Sequence, residues 1–120
     1  MKQIARGLFG LGVAMMIAAA TGCTKLPPPT PLSQLNDQQV RGYYAFRQHC
    51  AGCHSDRSNR SLNGPSLRSI FKKQYLNSGA PANDDRVMSV VMFGYGTMPA
   101  QGSALTPQER EDLLAYLHTL

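Results

Sequence analysis

His49-Cys50-Ala51-Gly52-Cys53-His54 sets two thiols three positions apart, with an imidazole directly after the second. This is the C-x-x-C-H array of covalent c-type haem attachment. Thiols so spaced on a turn of helix can each reach one vinyl group of the same porphyrin and close a thioether bond. The histidine then falls beneath the iron and supplies its proximal nitrogen. Two other chemistries use the same side chains. A zinc site would take Cys50, Cys53 and His54 with a fourth ligand from His49, His118 or Cys23. A thioredoxin-type redox pair would need the cysteines alone, but such pairs sit beside a βαβ pattern, which this chain lacks. Haem attachment explains the array best.

The chain upstream reads as an address. Lys2 and Arg6 precede residues 8–20, which are apolar or small throughout and end in an alanine run. A basic start, a short apolar stretch and small residues before a cut describe a secretory signal, and the stretch is shorter than the ~20 residues a spanning helix needs. Ala20-Thr21-Gly22-Cys23 resembles a bacterial lipobox, in which the cysteine is acylated and becomes the first mature residue. An odd exported thiol is a liability unless capped, and acylation would cap Cys23 while holding the domain at a membrane. Pro27, Pro28, Pro29 and Pro31 favour extended polyproline II, a semi-rigid stalk of roughly 25–30 Å at ~3.1 Å per residue. The expected organisation is a signal over 1–22, a lipidated Cys23 with a proline-rich tether over 23–32, and one domain over 33–120.

A domain of that size builds a marginal core, to which an embedded macrocycle would add much of the buried surface. Beyond the signal the chain carries ten basic and seven acidic side chains. No basic run is interleaved with aromatics, so nucleic acid is not an expected partner. A mildly basic rim including Arg57, Lys72 and Lys73 suits an acidic redox partner.

Helix signals punctuate the domain. Asn36 and Gln39 form a candidate capping box, and Gly42, Phe46, Cys50 and Cys53 then recur along one helix face. A mid-helix glycine costs about 1 kcal/mol relative to alanine, which points to a close helix crossing at Gly42. Gly64-Pro65 breaks the polar loop after the haem array, and the Pro65 carbonyl is the candidate acceptor for the second ring nitrogen of His54. Residues 66–75 have the pattern of a short helix. Tyr75 and Arg68 are candidates for propionate contacts, there being no tryptophan. Asn83 caps an apolar segment that Gly94 stops. In Gly96-Thr97-Met98-Pro99 a methionine sits between glycine and proline, and thioether sulfur suits haem iron. Met98 is therefore the expected sixth ligand, ahead of Met88 and Met92, which have core spacing. Thr106-Pro107-Gln108-Glu109 opens a last helix, whose leucines and Tyr116 form an apolar stripe facing Gly42.

These features occur in the order seen in class I c-type cytochromes, which the chain resembles from residue 33 to residue 120. The resemblance implies an all-α, small cytochrome c fold, its N- and C-terminal helices crossing around one covalently attached haem c. It implies His54 as proximal and Met98 as distal ligand. Six-coordinate iron leaves no site for a substrate, so the expected function is one-electron transfer between redox donor and acceptor proteins rather than catalysis. The expected place is the periplasmic face of a bacterial membrane, lipid-anchored through Cys23. The carrier would act alone or as the haem subunit of a respiratory or dehydrogenase complex. The alternatives are a redox or gas sensor whose methionine dissociates readily, and a zinc-stabilised interaction domain.

Overall fold

The computed structural model describes residues 26–120, so the signal expected over 1–22 and the acylation expected at Cys23 lie outside the described residues. Three α-helices carry the fold: α1, Asp37–His49; α2, Asp84–Phe93; and α3, Pro107–Leu117. Short 3-10 turns occur at Leu32–Gln34 and Ile70–Lys72. Among the described residues there is no strand, only the isolated bridges Tyr75–Pro81 and Tyr95–Met98. The all-helical class is as expected. Among the described residues no helix is long and apolar enough to cross a membrane.

Local chemistry sets the helix ends. The Gln39 N–H donates to Asn36 Oδ1 at 2.9 Å while Gln39 Oε1 accepts from the Asn36 N–H at 3.0 Å, a closed capping box. Thr106 and Glu109 repeat it at α3, with Pro107 in the first turn where no N–H is needed. Asn83 caps α2 by accepting from the Arg86 N–H. Gly94 ends α2 at φ 77°, a left-handed conformation that side chains resist.

Two expected elements differ. α1 stops at His49, so Cys53 lies on a turn instead of a helix face; the amides of Cys53 and His54 both donate to the Cys50 carbonyl, at 3.0 and 2.9 Å. The helix expected over 66–75 reduces to one 3-10 turn, because Ser69 is buried in a left-handed conformation at φ 59° that breaks the α-helical ladder. The proline-rich stalk also departs from expectation. Thr30 N–H donates to the Thr119 carbonyl at 2.8 Å, so this part of it is docked on the domain.

The crossing of α1 and α3 organises the core. A Cβ on Gly42 would overlap the Asp112 carbonyl and stand 2.8 Å from Tyr116 Cβ, so the two backbones meet where glycine permits it. Around that point Phe46, Leu113, Tyr116, Leu117 and Leu120 are buried, with the Phe46 and Tyr116 ring centroids 5.9 Å apart. Burying such side chains stabilises by roughly 1.5–3 kcal/mol each.

Asp112 is also buried at this crossing, 2% exposed. Its carboxylate accepts from Arg41 Nε at 2.8 Å and from Gln108 Nε2 at 2.9 Å. The Arg41 hydrogen bond outweighs desolvation and holds the Asp112 carboxyl below the ordinary value of 3.8. A carboxyl depressed on folding contributes stability above its unfolded pKa and loses it as pH falls through the folded one. The wild-type denaturation midpoint is therefore expected to fall as pH drops below about 4. Asp112→Asn should be less stable at pH 7 and lack that component of acid sensitivity; parallel midpoint–pH curves for the two proteins would refute the assignment.

Candidate functional site

A cavity of about 600 Å³ opens between the haem array, the loop after it, α2, the 95–99 loop and α3. That volume lies within the range of small-molecule and cofactor sites. Cys50, Cys53, His54 and Met98 all face it, as do apolar side chains that include Leu67, Ile70, Val87, Val91, Leu113 and Leu117. Residues 48 positions apart in the chain, Cys50 and Met98, thus meet in one apolar chamber.

Each donor is set by its neighbours. His54 is buried, and its Nδ1–H donates to the Pro65 carbonyl at 2.7 Å, which leaves Nε2 as the ring nitrogen with a lone pair to offer. Gly64 makes this packing possible. A Cβ there would lie 2.5 Å from His54 Cε1 and 2.8 Å from Nδ1, inside van der Waals contact. The Gly64 N–H donates to the Cys53 carbonyl at 2.7 Å, pinning the wall back onto the array. Cys50 and Cys53 are free thiols, the first buried and the second exposed. Burial, reinforced by Cys53, pushes the unattached Cys50 thiol up to about 11.

Met98 rides on a tight turn. Its N–H donates to the Tyr95 carbonyl at 2.9 Å and its carbonyl accepts from the Tyr95 N–H at 3.2 Å, with Gly96 at φ 58° between them. Among the described residues Met88 and Met92 do not line the cavity. Met92 instead lies under Gly102, where a Cβ would come within 2.9 Å of its Cε.

Other expectations fall elsewhere. Tyr75 and Arg68 are not on the cavity wall. Tyr75 is bridged to Pro81, and Arg68 Nη1 bonds Asn59 Oδ1 at 3.4 Å. Polar groups that do line it are Asn63, Asn77, Ser78, Tyr95 and Thr97. Residues 77 and 78 carry no signal beyond a polar loop, whereas the position of Thr97 beside Met98 could have pointed to it. Phe46 is buried against Tyr116 and does not line the cavity. Among the described residues no cluster of three or more His, Cys, Asp or Glu side chains is placed to hold a metal ion, so the zinc alternative finds no ligand set there.

The donors fit a covalently held haem. The thiols are unpaired, one imidazole nitrogen is already occupied by a carbonyl, a glycine clears the ring's flank, and the chamber is apolar.

The chain is similar to known proteins. A family model described as cytochrome C oxidase, cbb3-type, subunit III matches residues 37–117. A cytochrome c6-like protein of Nostoc sp. is 31% identical over 94 residues, 78% of this chain and 77% of that protein. Chloroplastic cytochrome c6 of Arabidopsis thaliana is 33% identical over 95 residues, covering 79% of this chain and 50% of its own length. The crystal structure of cytochrome c6 from the diatom Phaeodactylum tricornutum aligns with a TM-score of 0.51 at 28% identity, over 66% of this chain and 88% of that one. The family match runs from the first residue of α1 to the last of α3 and takes in the whole cavity. The chain belongs to the cytochrome c family, whose cofactor is one covalently bound haem c.

Proposed function

We propose that this chain is an exported one-electron carrier, tethered to a membrane by acyl chains on Cys23 and passing electrons between redox proteins. The observation that carries the reading is the meeting of Cys50, Cys53, His54 and Met98 in one apolar cavity. Cys50 and Cys53 would hold the porphyrin through thioethers, and His54 Nε2 and the Met98 sulfur would ligate its iron. Bound there, the haem supplies a ferric–ferrous couple. The Pro65 carbonyl, by accepting from Nδ1–H, fixes the imidazole's orientation and raises its basicity. Leu67, Val87, Leu113 and Leu117 exclude water, and Met98 favours the reduced state; both raise the potential. Asn77, Ser78 and Thr97, which line the cavity, join Tyr75 and Arg68 as polar candidates for propionate contacts.

The partner docks over the haem edge beside Cys53. Of the cations expected to steer it, Arg57 donates to the Thr30 carbonyl at 2.6 Å and Lys72 to the Leu120 carbonyl at 2.9 Å, neutral partners that leave their charge, like that of Lys73, uncancelled. The matching family, described as subunit III of a cbb3-type oxidase, favours a second reading in which the domain serves inside a complex.

Absorption spectra of the oxidised and reduced protein test the core of this reading. The purified protein should be red, retain its colour through denaturation and, when ferrous, resist carbon monoxide. A colourless product removes the reading, and rapid carbon monoxide binding would favour a sensor. Cys23→Ser should release the domain from membranes; unchanged attachment would replace acylation with an uncleaved leader.

A further inference from the structure

The docked proline-rich segment is part of a closed hydrogen-bond ring. Thr30 N–H donates to the Thr119 carbonyl at 2.8 Å, and Thr119 Oγ1, buried, donates to the Tyr116 carbonyl at 2.7 Å. Tyr116, fully buried, donates its hydroxyl to Asp56 Oδ2 at 2.5 Å. Burial, with the Asp56 hydrogen bond, pushes the Tyr116 hydroxyl up, so it stays a donor. Asp56 Oδ1 accepts from the Arg57 N–H at 2.8 Å, and Arg57 Nη2 closes the ring by donating to the Thr30 carbonyl at 2.6 Å and the Pro29 carbonyl at 3.5 Å. The ring joins three places far apart in sequence: the entry to the domain, the end of α3, and the loop that begins after His54.

We propose that Pro29 and Thr30 are a strap, locked by Arg57, that gives the chain before the domain one fixed exit direction. A tether running free to the start of α1 would span twelve residues, 24–35, about 35 Å in polyproline II. With the strap closed the span from residue 23 to the domain shortens to residues 24–28, at most about 15 Å in polyproline II. The reach is more than halved, and the edge built from Arg57, Thr119 and the strap is the one that faces whatever holds residue 23. Pro29 and Pro31 flank Thr30 and limit what the strap loses in entropy when it docks. The consequence for orientation at a membrane rests on the tether proposed above; the strap itself does not.

The sequence supplies a clean probe. Within residues 27–31, Pro-Pro-Pro-Thr-Pro, Thr30 carries the only backbone N–H, so amide exchange of a peptide spanning that stretch isolates the Thr30–Thr119 bond. In the full haem-loaded chain, Thr30 should exchange at least about 100-fold more slowly than in the free peptide. Arg57→Ala should remove at least about tenfold of that protection while leaving the haem spectrum and the exchange of α1 unchanged. Arg57→Lys keeps the charge beside Asp56 but is shorter and lacks the Nη2 donor that reaches the Thr30 and Pro29 carbonyls, so it should release Thr30 at least about threefold and serves should the alanine variant fail to fold. Free-chain exchange at Thr30 in wild type, or protection untouched by either substitution, overturns the strap. In phosphatidylcholine vesicles, quenching of a headgroup fluorophore by the haem should fit one narrow distance distribution in wild type and a broader one in the Arg57 variants. Identical distributions overturn the fixed orientation. A chain that does not stay on the vesicles removes the tether reading, while slow Thr30 exchange in that same chain still supports the strap.

Discussion

Met98→Ala is expected to abolish the weak red absorption band of methionine-ligated ferric haem and to lower the reduction potential by on the order of 100 mV or more. The expectation comes from how little freedom the Met98 turn has. Gly94 and Gly96 both adopt left-handed φ, and the Tyr95–Met98 pair exchanges two backbone hydrogen bonds. A Cβ on Gly94 would overlap the Met98 carbonyl, so the loop folds directly back on the end of α2. Pro99 then restrains the backbone after Met98. A thioether presented this way cannot be replaced by Met92, whose sulfur lies against Gly102 behind the cavity wall. Met92→Ala should keep the band and lose only packing. Loss of the band in Met92→Ala with its retention in Met98→Ala would reverse the ligand assignment.

Gly42→Val is expected to destabilise the folded chain by about 3 kcal/mol or more, read as a lower denaturation midpoint. The obstacle is backbone, not a movable side chain: the added Cβ meets the Asp112 carbonyl and carbon, then Tyr116 Cβ. Relief requires α1 and α3 to separate. Separation would also loosen the Arg41–Asp112 pair and the contacts of Phe46 with Tyr116. Gly52→Ala is the matched control, because nothing lies within 4 Å of its added Cβ, and its midpoint should stay within about 0.5 kcal/mol of wild type. Equal midpoints for Gly42→Val and wild type would mean that the helices do not cross there.

The legible parts of the fold were those in which one residue's chemistry acts on near neighbours. Asn36–Gln39 and Thr106–Glu109 are three residues apart and cap their helices as expected, and Gly94 ends α2 where it should. The position of Gly42 was legible for another reason: a helix tolerates a glycine's cost mid-span when something must come close. Asp112 was not, since an acid in a charged helical run normally faces water, and only Arg41 arriving from α1 makes its burial tolerable. Ser69 was not either. Its neighbours have helical spacing, yet it sits buried at positive φ, a conformation serine rarely adopts without tertiary support.

Arg57 separates the two kinds of information most sharply. In sequence it is one cation in a polar loop after the haem array, free to steer a partner. In the folded chain its guanidinium is turned onto carbonyls 27 and 28 positions upstream, and the proline-rich segment is bonded to the domain. The amino-acid order alone was enough for the cofactor array, the capped starts of the three helices, the glycine stop of α2, the all-helical class and a methionine held between Gly96 and Pro99, because each depends on bonds and sterics within a few residues. Which polar groups line the cavity, which acid is buried and where Thr30 is bonded were settled only when the chain closed on itself, because those depend on partners that distant segments bring to one place.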